Sequence, residues 1–129
     1  MSIRWVFNPL EMVCEIALDI FGEINCEIAF GKVKGRDKKE TAWTMFPDEE
    51  GKPFEIVIDA EADFEQITEA LAHELAHVIA GEDENEGHGE EWMAVFERIH
   101  QEYIKRCEEL FADNEDVEMV KELKLAQEV

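Results

Sequence analysis

This chain has few of the residues that mark several common classes of protein. It contains only three cysteines in 129 residues, Cys14, Cys26 and Cys107, and no two of them form a C-x-x-C pair. An odd number of widely spaced cysteines argues against both a disulfide framework and a cysteine-based zinc ribbon. The cysteine content therefore fits a reducing compartment, and we expect a cytoplasmic protein.

Long apolar runs are absent as well. No stretch approaches the roughly 20 apolar residues that a membrane-spanning helix needs. The first residues also lack a basic segment followed by an apolar one, which is the pattern of a secretory signal. We therefore expect no membrane partner for this chain.

Positive charge is scarce, since 12 Lys and Arg residues against 33 Asp and Glu residues give a formal net charge of −21. Such a field repels nucleic acid and anionic membranes at long range, and it attracts basic partners. The alternative reading is that the charge only keeps a small protein in solution. The charge thus predicts basic protein segments as partners or substrates, and it leaves the oligomeric state unknown.

The apolar content is that of a folded domain. Hydrophobic residues make up 46% of the chain and include 8 Phe and 3 Trp, which argues against a disordered acidic segment. At 129 residues the chain is long enough to bury one core and too short for a second. We therefore expect a single domain covering residues 1–129.

The most informative stretch is His73-Glu74-Leu75-Ala76-His77. Side chains four apart on a helix share a face, with Cβ atoms about 5–6 Å apart, so both imidazoles can reach one zinc ion. Helical geometry places Glu74 beside that ion and off the line of its ligands, where a general base would sit. A histidine pair on an amphipathic helix can also be purely structural, but the Glu in the second position favours a metal site.

A third ligand is needed, because catalytic zinc usually takes three protein ligands and keeps a fourth position for water. His88, within Gly87-His88-Gly89-Glu90-Glu91-Trp92, is the nearest candidate. The carboxylates of residues 82–86 compete with it, although zinc prefers imidazole at such a site. We expect a closing helix to begin near His88, and its packing through Trp92 against the motif helix to aim His88 at the zinc.

Sequence periodicity predicts one helix and three strands before the motif. Asn8, followed by Pro9 and Glu11, marks the start of a first helix. Period-two patterns then predict strands at Ile24–Phe30, about Glu40–Phe46 and Phe54–Asp59, with a hairpin-like connection between the first two. The residues expected to face the core are Ile24, Cys26, Ile28 and Phe30 in the first strand and Phe54, Ile56 and Ile58 in the third.

Two further helices are predicted around the motif. Asp63, with Gln66 three residues later, predicts a capping box at the start of the motif helix. His73 and His77 lie nearly opposite the apolar face of that helix, which can therefore bury one face and hold a metal on the other. The predicted core faces are Phe64, Ile67, Leu71, Leu75 and Val78 in the motif helix, and Trp92, Phe96, Ile99, Tyr103 and Leu110 in the closing helix.

One basic patch stands out in this acidic chain. Five of the 12 Lys and Arg residues lie in Lys32–Lys39. With Trp43 and Phe46 nearby, this patch could contact a phosphate backbone and stack a base, which would associate the protein with DNA. The competing reading is a solvated hairpin tip whose lysines protect a sheet edge.

The two motif segments, His73-Glu74-Leu75-Ala76-His77 and Gly87-His88-Gly89-Glu90-Glu91-Trp92, resemble those of the SprT-like (Spartan-type) zinc metallopeptidases. That family has H-E-x-x-H followed by G-H-G-x-x-aromatic, and its order of helices and strands is similar. The resemblance implies an α+β fold: a zincin-like minimal metallopeptidase domain with an N-terminal helix, a small three-stranded sheet, the H-E-x-x-H helix and a long closing helix. It also implies that His73, His77 and His88 bind Zn²⁺ and that Glu74 is the catalytic base.

We therefore expect a zinc-dependent metallopeptidase that acts on basic or nucleic-acid-associated proteins. The resemblance to zincins implies that an extended substrate adds to an edge strand beside the site, for which Phe54–Asp59 is the candidate. Tyr103 and His100 are candidates for stabilising the oxyanion by residue type only. The alternative function is a zinc-stabilised, non-catalytic binding module whose acidic surface docks a basic partner.

Overall fold

The computed structural model describes residues 2–3, 7–31, 41–81 and 89–111, and these contain three helices and a three-stranded sheet. In chain order the elements are α1 (Pro9–Phe21), β1 (Cys26–Gly31), β2 (Ala42–Met45), β3 (Phe54–Asp59), α2 (Phe64–Ala80) and α3 (Glu90–Leu110). The predicted α+β class and the predicted order of these elements are confirmed. None of the helices in the described ranges combines the length and the apolar character that crossing a membrane requires.

The first helix begins and ends where the sequence predicts. The side-chain oxygen of Asn8 accepts hydrogen bonds from the backbone N–H groups of Leu10, at 3.0 Å, and Glu11, at 3.3 Å. Pro9 occupies the first helical position, where a backbone N–H would have no helical partner. Gly22 ends α1 with a φ of 86°, a left-handed value that glycine adopts without steric cost.

The sheet has the order β1-β3-β2, with β1 parallel and β2 antiparallel to the central strand. The expected hairpin between β1 and β2 is therefore wrong, because β3 lies between these two strands. A period-two pattern indicates that a strand exists but does not identify its partner. Lys32–Lys39, predicted to form the tip of that hairpin, lies outside the described residues.

The strands differ in burial because the helices cover only part of the sheet. In β3, Ile56 and Ile58 are fully buried and Phe54 packs against the core, as predicted. In β1, Ile28 is 39% and Phe30 is 53% exposed, so the expected core position of these two residues is wrong. The reason is that α2 packs against β2 and β3, which leaves β1 at the far edge of the sheet.

The motif helix α2 is the element on which the rest of the fold packs, since it contacts α1, α3, β2 and β3. Its buried face carries Ile67, Leu71, Leu75 and Val78, as the sequence predicts. The closing helix buries Trp92, Ile99 and Tyr103 on its predicted face. The core therefore lies between the three helices and one face of β2 and β3.

Residues at the helix ends depart from the predicted pattern. Phe64, the first residue of α2, is 57% exposed, and Leu110, the last residue of α3, is 46% exposed. Both were expected in the core, but a terminal residue has helical neighbours on one side only. Asp63 occupies the N-cap position of α2 without a side-chain capping hydrogen bond, so the predicted capping box is also wrong.

Replacing Leu71 with Ala should destabilise the protein by about 2–5 kcal/mol, because the side chain is 1% exposed and its loss leaves a cavity. Phe64→Ala is the matched control in the same helix and should change the free energy of unfolding by only about 0.5 kcal/mol. Urea denaturation followed by circular dichroism measures both values. Equal losses in the two variants would contradict the described core.

Candidate functional site

A cleft with a volume of about 610 Å³ lies between β2 and the face of α2 that does not pack on the core. Among the described residues β2 pairs with β3 alone, and the successive residues Ala42, Trp43 and Thr44 all line this cleft, which indicates that the edge of β2 opposite β3 borders it. The lining residues are Thr41, Ala42, Trp43, Thr44 and Phe46 from the strand side, and Gln66, Glu69, Ala70, His73, Glu74 and His77 from α2. The predicted placement of the histidine pair opposite the buried face of the helix is confirmed.

His73 and His77 face each other across one helical turn, with their Nε2 atoms 3.2 Å apart. Two nitrogens that each lie about 2.0–2.1 Å from a tetrahedral zinc ion would be separated by about 3.3–3.4 Å. The histidine pair therefore fits two positions of one zinc ion to within about 0.2 Å. The same separation also suits a hydrogen bond between the two rings when no ion is bound.

Glu74 is buried, with 8% of its surface exposed, although it is ionisable. Its Oε2 accepts a 2.5 Å hydrogen bond from Oγ1 of Thr44 in β2. Glu74 follows His73 in the chain, and its side chain lines the same cleft as the histidine pair. A carboxylate in this position can accept a proton from a water molecule in the cleft.

Thr44 is a site residue that the sequence did not identify. A single threonine in a strand belongs to no catalytic motif, and only the packing of β2 on α2 brings it to Glu74. No signal in the sequence identifies it; in the structure Thr44 pairs with Ile56, a core-facing residue of β3. Directly paired residues point to the same side of a sheet, so Thr44 points toward the helices.

Trp92 connects the closing helix to the motif helix. Its indole Nε1 donates a 3.2 Å hydrogen bond to the backbone oxygen of His73. Its ring centroid lies 4.7 Å from that of His73 and 5.5 Å from that of His77. These contacts restrict the orientation of both imidazoles, and they confirm that α3 packs through Trp92 against the motif.

The aromatic stack continues along α3 to Phe96 and His100. The Phe96 ring lies 5.1 Å from the Trp92 ring at an interplanar angle of 7°, and the His100 ring lies 6.0 Å from the Phe96 ring at 11°. His100 does not line the cleft. His100 therefore packs against Phe96 of its own helix and is a structural residue, not part of the cleft.

Tyr103, the other residue considered for the oxyanion, is buried in the core and does not line the cleft. Burial, together with the neighbouring Cys107, raises the pKa of its phenol well above the ordinary value. The structure thus places both oxyanion candidates, His100 and Tyr103, away from Glu74. Residue type alone could not show that these two side chains lie outside the cleft, because their positions depend on which face of α3 each occupies.

The three cysteines are free thiols and none of them lines the cleft. Burial raises the pKa of Cys26 to about 11, and it also raises the pKa of Cys14 and Cys107 above the ordinary value. Thiolate is the nucleophilic and metal-binding form of cysteine, so these thiols are poor nucleophiles and poor ligands near neutral pH.

The expected third ligand, His88, and the competing carboxylates of residues 82–86 lie outside the described residues. Within the described part of the chain, no group of three or more His, Cys, Asp and Glu side chains is placed to hold a metal ion. The described geometry therefore supplies two candidate ligands and a neighbouring carboxylate. The remaining ligand stays a sequence-based prediction.

The fold and the cleft define a small α+β protein with a histidine pair and a buried glutamate on one face of its central helix. Residues 55–115 match the model of the SprT-like family. This match over residues 55–115 agrees with the resemblance to the SprT-like family seen in the sequence. No curated protein and no solved structure matched the chain.

Replacing Trp92 with Phe should destabilise the protein by about 0.5–1.5 kcal/mol, because it removes the N–H donor to the His73 carbonyl and keeps an aromatic ring. Trp92→Leu should cost more, since it also removes the ring packed against both histidines. Chemical denaturation of the metal-free variants gives both values. A Trp92→Phe variant as stable as the wild type would show that the hydrogen bond does not hold the two helices together.

Proposed function

We propose that this chain is a zinc metallopeptidase whose zincin-like minimal domain covers residues 1–129 and hydrolyses peptide bonds in proteins. The single observation that carries the proposal is the cleft face of α2. There the Nε2 atoms of His73 and His77 are 3.2 Å apart, and the buried Glu74 lines the same cleft. The match of residues 55–115 to the SprT-like family supports it. A histidine pair with only a structural role would not require a buried carboxylate next to it.

The proposed zinc ligands are His73, His77 and His88. The separation of the first two Nε2 atoms suits a shared zinc ion. The third is supported by its chemistry, because imidazole suits zinc, and by its place in the chain. Trp92, four residues after His88, contacts both other histidines, so the start of α3 lies against the proposed metal site.

The proposed catalytic role of Glu74 follows from its position. When bound, zinc would supply a water molecule with a pKa of about 7 and would polarise the scissile carbonyl. The Glu74 carboxylate accepts the proton of the attacking water and delivers it to the leaving amine. Its burial and its hydrogen bond to Thr44 restrict the position of the carboxylate in the cleft that the two imidazoles also line.

The strand proposed to receive the substrate is β2. The sequence suggested Phe54–Asp59 for this role, and that suggestion is wrong, because β3 is paired with β1 on one side and with β2 on the other. A strand paired on both sides cannot add a substrate strand. An extended peptide added to the cleft-side edge of β2 would instead run beside the histidine pair.

The proposed substrates are basic segments of proteins. The ionisable side chains that line the described cleft are the carboxylates Glu69 and Glu74 and the two imidazoles. The net charge of −21 adds a long-range attraction for cationic chains. Association with DNA through Lys32–Lys39 and a cytoplasmic location both stay predictions, since the described residues bear on neither.

Replacing Glu74 with Gln should leave zinc bound and lower the rate of hydrolysis by roughly 10²–10⁴, because the amide cannot accept the proton of the water. Cleavage of a basic, unfolded protein, with zinc content measured in the same samples, tests this. Glu69→Gln is the matched comparison, because it changes a carboxylate of the same cleft that is proposed to attract the basic substrate but takes no part in proton transfer. It should retain a kcat close to that of the wild type.

Two outcomes would contradict the role of Glu74 in different ways. Full activity in Glu74→Gln would remove its assignment as the base. A wild-type protein that binds zinc but cleaves no substrate would replace the peptidase by the alternative, a zinc-stabilised module that binds a basic partner.

Replacing His88 with Ala should sharply lower zinc occupancy, because it removes one of three proposed ligands. His100→Ala is the control, since His100 also belongs to the C-terminal part of the chain but stacks on Phe96 outside the cleft. Elemental analysis after dialysis against a weak chelator measures both. Full zinc retention in His88→Ala would contradict the assignment of His88 and point to a carboxylate of residues 82–86 as the third ligand.

A further inference from the structure

We propose that Thr44 is a positioning residue that holds the Glu74 carboxylate in its working orientation, an inference that rests on the proposed peptidase function. Its Oγ1 donates to Oε2 of Glu74 at 2.5 Å, between residues 30 positions apart in the chain. Glu74 is 8% exposed and Thr44 is half-buried, so water competes little for this bond. Hydrogen bonds to an ionised acceptor are shorter and stronger than those between neutral groups.

Thr44 is a rigid donor. Its backbone is paired with Ile56 of β3, whose side chain is fully buried in the core. A β-branched side chain such as threonine also has few accessible χ1 rotamers. A glutamate, in contrast, has three side-chain torsions, so an external contact is needed to fix its carboxylate. Through this hydrogen bond, a residue fixed in the sheet limits the orientations open to the Glu74 carboxylate.

The bond leaves Glu74 able to act as a base. A carboxylate has two oxygens with about four lone-pair sites, so the hydroxyl donor at Oε2 can orient the group without exhausting its capacity to accept a proton. Thr44 thus acts through Glu74 and does not itself touch the reacting atoms. Misplacing a catalytic group by about 1 Å can lower a rate by about 100-fold, which is the scale on which such positioning matters.

The position of Thr44 also joins two parts of the proposed mechanism. It belongs to β2, the four-residue strand that borders the cleft and that we propose pairs with the substrate. The strand that would align the peptide therefore also carries the donor that aligns the base. Thr44 could instead have a purely structural role, in which the same bond supplies a hydrogen-bond donor to a buried carboxylate. The test must therefore separate an effect on stability from an effect on catalysis.

The test compares Thr44→Val, which keeps the shape and removes the hydroxyl, with Thr44→Ser, which keeps the hydroxyl. Thr68→Val is the matched control, because Thr68 donates to the Phe64 carbonyl in α2 and does not line the cleft. We expect Thr44→Val to lower kcat by roughly 10- to 100-fold, with KM and zinc content unchanged. Thr44→Ser and Thr68→Val should both keep kcat within a few-fold of wild type.

A double variant shows whether the effect passes through Glu74. In the Glu74→Gln background, Thr44→Val should change the residual rate little, because two residues that act as a unit are not additive. An equal fold-loss in both backgrounds would overturn the positioning role. So would a Thr44→Val variant with the kcat of wild type in an enzyme that Glu74→Gln inactivates, and this result would leave the peptidase assignment intact.

A readout that does not depend on activity completes the test. High-resolution crystal structures of the metal-free proteins should show one Glu74 rotamer in wild type and Thr44→Ser, and several rotamers in Thr44→Val. A single unchanged rotamer in Thr44→Val would overturn the inference even where kcat falls. If the wild type hydrolyses nothing, the proposed function fails, and the rotamers still decide whether Thr44 orients Glu74.

Discussion

The rest of this structure depends on how α2 is oriented, with one face buried in the core and the other lining the cleft. One face of the helix, from Ile67 through Leu71 and Leu75 to Val78, is buried against the other elements. Burial of that face fixes the rotation of the helix about its axis, because side chains follow a period of 3.6 residues. The same rotation turns His73 and His77 toward the cleft beside β2.

Two neighbours then hold the motif from opposite directions. From α3, Trp92 donates to the backbone of His73 and packs its ring against both imidazoles. From β2, Thr44 donates to the carboxylate of Glu74. The hydrophobic core thus sets the direction of the motif, and these two hydrogen bonds set the orientation of its groups. Each comes from an element that is distant in sequence, so the local geometry is a property of the folded chain.

The sequence predicted what is encoded locally and missed what depends on partners. The cap at Asn8, the stop at Gly22, the bounds of β3 and the histidine face of α2 follow from short-range rules of helix and strand geometry. The strand order did not follow, because strand pairing is a long-range choice. The expected hairpin and the expected edge strand at Phe54–Asp59 were therefore both wrong.

Burial at the edge of the sheet and the contacts of the site also depend on long-range packing, so local sequence rules could not predict them. Phe30 fits the alternating apolar pattern of a core-facing residue in β1. It is nevertheless 53% exposed, because α2 packs against β2 and β3 and not against β1. Thr44 belongs to no motif, and its bond to Glu74 exists only because β2 lies against α2. The histidine pair and its glutamate could be named from spacing, while the residue that holds the glutamate could not.

The proposed function requires His73 and His77 to share one zinc ion at a site with a position open to water. A crystal structure of the zinc-loaded protein, with anomalous scattering recorded at the zinc edge, tests it most directly. We expect one anomalous peak about 2.0–2.1 Å from both Nε2 atoms, with a water molecule completing the coordination. A peak elsewhere in the protein, or a zinc ion enclosed by four protein side chains, would contradict it.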